Sequence, residues 1–209
     1  MKISELSEST GVSLPTLKMY LREGLLQPGR KSGPNQASYD DAHVQRVRLV
    51  QGLLRVGGLS IAAARDVVSA IDSGGPLVHT FGVAQEAASH PVDWQQTPEL
   101  ALATVDRITQ GWDLHADGPG RHLAAHAIAA FESAGQHDAA SWYERYAEAA
   151  LLIAHADLDL VDSRDGREAK AETVVLGTVL GDTLLAGLRR AAQQHIANTR
   201  YPITAGSST

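Results

Sequence analysis

Three small groups of side chains have the types and spacings to do chemistry. Lys18 and Arg22 stand one turn apart in the stretch TLKMYLREGLL, residues 16–26. Cations so spaced on a helix can reach phosphate oxygens or the edge of a guanine. His122 and His126 stand at i and i+4 in RHLAAHAIAA. From one helix face they could bind a single metal ion, completed by a carboxylate of HADLDLVD together with His155. Trp112, Phe131, Trp142, Tyr143 and Tyr146 are most of the aromatics of the C-terminal half. A helical interior lined by such rings suits an organic ligand.

Each group has a plainer reading. Charged residues on helices mostly face water, and two histidines among alanines are ordinarily surface or core-edge residues. The sequence contains no cysteine, which removes disulfides, iron–sulfur clusters and thiolate metal sites. No metal site and no cofactor is therefore expected. Bulky aromatics are equally the packing residues of a core. No GxSxG, no phosphate loop and no Cys nucleophile is present, so an enzyme is the least favoured class.

The elements that must position these groups are helices. Alanine and leucine dominate the 209 residues, aromatics make up 5%, and 44% are hydrophobic, enough for a core. The net charge of −6 conceals an asymmetry. Residues 1–72 hold nine Lys/Arg against seven Asp/Glu, and residues 73–209 hold nine against seventeen. Opposite charge in two parts suggests two roles. No uninterrupted apolar run approaches the roughly 20 residues that span a bilayer, and the first helix lacks a secretory apolar core. A cytoplasmic protein with no membrane contact is expected.

Along the chain, Ser4 is expected to cap a first helix that stops at Gly11. Ser13 caps a second, with Leu14 and Pro15 in its first turn and Gly24 as its stop. The stretch QPGRKSGPNQAS reads as a loop or short β-hairpin, basic at Arg30 and Lys31. A third helix is expected from Asp40 to Val56 and a fourth from Ile61 to Ile71, capped by Ser60. Further helices are expected at about 77–89, 98–112, 121–133, 138–160 and 167–195, with HPVDWQQ as a linker and TAGSST as a disordered end. The fold class is all-α, apart from one small hairpin. The expected domains are 1–72, a connecting segment 73–98 and a helical domain 99–209.

Two short helices joined at Gly11-Val12-Ser13 have the spacing of a helix-turn-helix. The second would present Thr16, Lys18, Met19 and Arg22 to the major groove, while Leu17, Tyr20 and Leu21 hold it to the body. Arg30, Lys31, Arg46 and Arg48 would reach neighbouring phosphates.

The same residues carry a family resemblance. Ile3, Leu6, Thr10-Gly11-Val12, Thr16-Leu17-Lys18, Tyr20, Arg22-Glu23-Gly24-Leu25-Leu26, Tyr39-Asp40 and Leu59-Ser60 occur in an order that resembles the N-terminal winged-helix domain of the MerR family of transcription regulators. The resemblance covers the first third of the chain without gaps. It implies a homodimer on a two-fold-related operator in double-stranded DNA, a recognition helix in the groove, a wing on the backbone, and promoter distortion in concert with RNA polymerase. Ser13, Thr16, Lys18, Met19, Tyr20, Arg22, Arg30, Lys31, Gln36, Tyr39 and Arg46 are then the expected DNA-binding residues. The sequence departs from the family pattern in three places. Lys18 stands for an arginine, which removes the bidentate fork. Met19 stands for an aromatic, and Gln36-Ala37 stand for the Tyr-Arg of the wing tip.

After the fourth helix the resemblance leads to a long coiled-coil helix, but GGPLVHTFGVAQEAASHP has no sustained heptads. Dimerisation by the C-terminal helices is expected instead, with Val175, Leu176, Val179, Leu180, Leu184 and Leu185 as one apolar face and Gly177 and Gly181 allowing close approach. An internal core helix explains that run equally well. A small organic effector at Trp112, Phe131, Trp142, Tyr143 and Tyr146 is the expected control. The alternative is an adaptor whose C-terminal bundle docks another protein.

Overall fold

The computed structural model describes residues 1–33, 36–89 and 96–201. The linker residues 90–95 and the TAGSST end therefore lie outside the described residues. The chain is 72% helical, with a single two-stranded hairpin among the described residues.

Helix α1 spans Ile3–Thr10 and α2 spans Leu14–Arg22. Gly11 closes α1 at φ +67°, a left-handed conformation that costs glycine little. Ser13 caps α2, its hydroxyl accepting the Thr16 N–H at 3.3 Å, with Pro15 in the first turn. Ser4 is no cap: α1 begins one residue earlier, at Ile3, and the Glu5 carboxylate accepts the Lys2 N–H at 2.6 Å. Strands β1 (Arg30–Gly33) and β2 (Gln36–Ser38) pair antiparallel, with Arg30 opposite Ser38 and Lys31 opposite Ala37.

Helix α3 covers Asp41–Gln51, capped by Asp40, and passes into a π-helical segment at Gly52–Val56. Periodicity predicts a straight helix to Val56. Instead, Gly57 N–H bonds Gly52 O at 2.9 Å, a wider i→i+5 turn. Helix α4 (Ile61–Asp72) is capped by Ser60, whose hydroxyl accepts the Ala63 N–H at 3.1 Å. Then follow α5 (Leu77–Ala88), α6 (Glu99–Ile108), α7 (Pro119–Ser133), α8 (Trp142–Asp162) and α9 (Arg167–Arg200).

Two cores form. In the larger, Leu6, Leu17, Leu25, Val47, Leu53 and Val67 are fully buried, each contributing about 1.5–3 kcal/mol of apolar transfer. Ala84 of α5 and Ala171, Val175 and Val179 of α9 belong to this same cluster. Four of the six apolar residues proposed for dimerisation are thus internal: Val175 and Val179 are buried on the N-terminal helices, and Leu176 and Leu180 pack half-buried against the same core. The smaller core joins Ala101 and Val105 of α6, Ala125 and Ile128 of α7, and Tyr143 of α8.

Helix α9 has 34 residues, roughly 51 Å at 1.5 Å per residue. It is the single helix among the described residues long and apolar enough to cross a membrane, by length and composition alone. Counting uninterrupted apolar runs misses it, because Thr178 and Asp182 break the run. Its first half is fixed against the N-terminal core through Ala171, Val175 and Val179, and that packing does not fit a free membrane span. The second half, 181–200, is nearly all solvent-facing.

Candidate functional site

Helix α2 is held by its inner face and presents its outer one. Leu17 and Tyr20 are buried while Ser13, Lys18 and Arg22 are exposed and Thr16 and Met19 half-buried. The hydroxyls of Ser13 and Thr16 stand 2.8 Å apart. The Arg22 side chain is 73% exposed, its Nε 3.2 Å from Glu23 Oε1. Glu23 is claimed from behind by Arg65 of α4, whose Nη2 donates to Glu23 Oε2 at 2.6 Å and whose Nε donates to the Glu23 carbonyl at 2.8 Å. The arginine of α4 fixes the end of α2 and offsets the one carboxylate beside Arg22, so the outer face stays cationic.

The wing adds Arg30, Lys31 and Gln36, all exposed. Its foot is tied to the N-terminus: Met1 N⁺ donates to Tyr39 O at 2.7 Å, and Tyr39 N–H donates to Met1 O at 2.8 Å. The Tyr39 ring meets His43 edge-on at 5.1 Å. His43 bonds Asp40 in turn, which holds that carboxyl below its usual range. Arg48 is exposed on α3.

Three of the expected contact residues do not lie on this surface. Tyr20 is buried under α2, where desolvation raises its phenol pKa, against an opposing pull from the charge of Arg55. Tyr39 is buried at the wing foot. Arg46 is only 11% exposed and bonds Asp72 Oδ1 at 2.5 Å, tying α3 to the end of α4, while Gln27 reaches the other oxygen of Asp72 at 3.3 Å. Their rings and guanidinium complete the scaffold under the cationic face. Sequence reasoning missed Arg65, Glu23 and Asp72 as positioning residues. Arg65 and Glu23 are 42 residues apart, and no local pattern links them.

The aromatic group is assembled at the start of α8. Phe131 lies 4.8 Å from Trp142, Trp142 lies 5.6 Å from Tyr143 and 4.8 Å from Tyr146, centroid to centroid. Arg189 of α9 covers Tyr146 at 5.4 Å, and its Nε donates to the Tyr146 hydroxyl at 2.8 Å. Trp112, in the turn after α6, lies outside these ring contacts. Asp138 Oδ1 accepts the N–H groups of Trp142 at 2.7 Å and Tyr143 at 3.4 Å, while Ala140 and Ser141 adopt left-handed φ of 57° and 55°. Burial raises the Tyr143 phenol pKa, helped by the charges of Glu132 and Asp138. Trp142 and Tyr146 remain 37% and 43% exposed, so the group is an open face. Two clefts lie elsewhere, one between α4 and α5, the other where α3 and the end of α4 meet the start of α9.

Thr97 Oγ1 sits 3.0 Å from His122 Nδ1 and 3.0 Å from His126 Nε2, and His122 Nε2 is 3.2 Å from the Ala116 carbonyl. These nitrogens are spent on joining the start of α6 to α7. Among the described residues no three metal-ligating side chains come together.

The two halves are joined by Arg167, the first residue of α9. Its guanidinium donates to Ile71 O at 2.6 Å and Gly75 O at 2.8 Å, satisfying carbonyls at the end of α4.

Comparison with known proteins agrees with this geometry. Residues 1–71 match the family described as "MerR HTH family regulatory protein". The whole chain is similar to a crystal structure, that of SCO5550 from Streptomyces coelicolor A3(2), provisionally named a transcriptional regulator: 31% identity, 97% of this chain and 99% of that one, TM-score 0.72. No curated protein matches the chain. The helix-turn-helix with its cationic outer face, the paired wing and a resemblance running through the C-terminal helices together assign the chain to the MerR family of DNA-binding transcriptional regulators.

Proposed function

We propose that the protein is a sequence-specific regulator that binds a two-fold-related operator as a homodimer and is controlled through its C-terminal helices by a small organic ligand. The observation that carries the DNA reading is the outer face of α2, where Ser13, Lys18 and Arg22 are exposed on a helix whose inner face is locked by Leu17 and Tyr20. Lys18 and Arg22 approach base edges; Thr16 and Met19 border them. Arg30, Lys31 and Gln36 of the wing, with Arg48, approach the phosphates. One such head covers a single half-site, so a second copy supplies the other. Such a regulator meets its promoter and RNA polymerase in the cytoplasm.

Ligand control is supported by the Phe131, Trp142, Tyr143 and Tyr146 group with Arg189 beside it, a face on which a planar molecule can stack. Its openness favours a second reading, docking of a protein on the same helices, since Leu152, Leu184 and Leu188 are also strongly exposed nearby.

The test is fluorescence anisotropy of the full chain on the DNA upstream of its own gene at two salt concentrations. Selective binding that weakens with salt, with log K falling linearly in log salt, is the expected result. Equal affinity for operator and scrambled DNA overturns the sequence-specific reading.

A further inference from the structure

The C-terminal hairpin leaves a surface that the chain itself does not cover. Helix α8 has 21 residues and buries only Tyr143 and Val161 fully, and residues 181–200 of α9 bury none. Most of a helix's stability in a protein comes from packing an apolar face rather than from propensity. Such faces exist. Ala147, Leu151, Ala154 and Leu158 recur at 4-3-4 spacing along α8, and Leu184, Leu188 and Ala192 recur at i+4 along α9, followed by Ile196. Leu184 and Leu188 are 63% and 60% exposed.

We infer that a second copy of this chain covers this surface, α8 and the C-terminal half of α9 of each copy packing into an intermolecular four-helix bundle. The inference rests on the homodimer reading and gives it an interface. The two helices are complementary in charge. Helix α8 carries Glu148, Asp157 and Asp159 against Arg145, beside Glu144 and Asp162 that Arg107 and Lys170 of the same chain already pair, whereas 181–200 carries Arg190 and Arg200 against Asp182, beside Arg189 that Tyr146 already engages. A two-fold axis that sets each α9 beside the partner's α8 pairs unlike charges, and setting α8 on α8 would oppose like ones. The surface is also large enough: a stable interface takes roughly 20–30 residues a side, and these two stretches supply that number. Helix α5, where a connecting dimer helix would lie, is instead occupied within the chain. It packs between α4 and α9 with Thr80 and Ala84 buried.

The test uses the full-length chain. Light scattering after size exclusion should give about 44 kDa for the wild type, twice the 22.2 kDa chain, and one chain's mass for Leu184→Glu/Leu188→Glu with its helical circular dichroism retained. Because the protein has no cysteine, single substitutions report proximity without background. A bismaleimide should join Leu188→Cys chains to Ala147→Cys chains in mixed dimers and leave Val78→Cys on α5 single. A dimer that survives Leu184→Glu/Leu188→Glu, or crosslinks through Val78→Cys, overturns the interface while leaving operator binding intact. A wild type that is monomeric at all concentrations overturns interface and homodimer together. Flotation of the wild type with anionic lipid vesicles, lost in the double variant, would assign the face to a membrane and overturn the proposal. A dimer by both assays that ignores operator DNA retains the interface and refutes the DNA reading.

Discussion

A Cβ added to Gly57 would stand 2.2 Å from Val179 Cγ1 and 2.9 Å from Leu53 O. The turn after the π-helical segment and α9 meet through the missing side chain. Gly57 has φ −72°, which any residue adopts, so the requirement there is for space. Gly52 faces the same helix more loosely, its added Cβ 3.8 Å from Leu180 Cδ1.

Gly57→Ala should therefore destabilise the protein by about 1–3 kcal/mol through overpacking. Gly57→Ala/Val179→Ala should recover part of that loss, because the second change removes the clashing methyl. Urea denaturation of the wild type, both singles and the double gives the coupling energy. Strict additivity would mean that the two sites do not touch.

The outer face of α2 predicts two kinds of loss. Lys18→Ala and Arg22→Ala should each cost about 1–3 kcal/mol of operator affinity and relax base preference where the side chain reads a base. Lys31→Ala on the wing should weaken all sequences alike and reduce the salt slope by about one unit. Anisotropy titrations on operator and single-substituted duplexes separate the two. Wild-type binding by Lys18→Ala/Arg22→Ala would remove α2 from the groove.

Arg65→Ala acts on the same face indirectly. It deprives Glu23 of two charge-assisted contacts, and the freed carboxylate turns toward Arg22. Operator affinity should fall although Arg65 touches no DNA, and Glu23→Gln in the Arg65→Ala background should restore part of it. A double variant no better than Arg65→Ala would rule out the electrostatic route.

Asp138→Ala removes the carboxylate that accepts two N–H groups at the start of α8. Loss of such a cap costs about 0.5–2 kcal/mol. Trp142 donates its N–H to this carboxylate, so its fluorescence should shift to the red and its ring contacts loosen before global unfolding. A protein with unchanged emission and stability would show that the smaller core alone positions the aromatics.

Glu172 of α9 lies at the junction with α3 and α4, and burial raises its pKa, against the lowering effect of Arg46 and with the carboxylates of Glu168 and Asp72 adding. An acid whose folded pKa is raised is favourable below its unfolded value, near 4.3, and that advantage is lost as pH rises through the folded value. Glu172→Gln should thus be more stable than wild type at pH 7, with the difference shrinking toward pH 4. Thermal denaturation across that range checks the sign.

The N-terminal third was legible because its determinants are local. Gly11, Ser13, Pro15 and Ser60 set caps and turns within a few residues of themselves, and Leu17 and Tyr20 mark the buried face of α2 by helical spacing alone. From those residues the sequence determined the helix-turn-helix and the cations of its outer face; composition carried the all-α class, and QPGRKSGPNQAS left a loop and a short hairpin both open. Tertiary structure decided which cations stay free. Arg46 and Arg22 look alike in sequence, yet Asp72 withdraws the first while Arg65 neutralises the neighbour of the second. It also decided that α9 is two helices in function. The half with Val175 and Val179 closes the N-terminal core, and the half with Leu184 and Leu188 lies open. One apolar periodicity runs through both, and periodicity records that a face is apolar without recording what covers it.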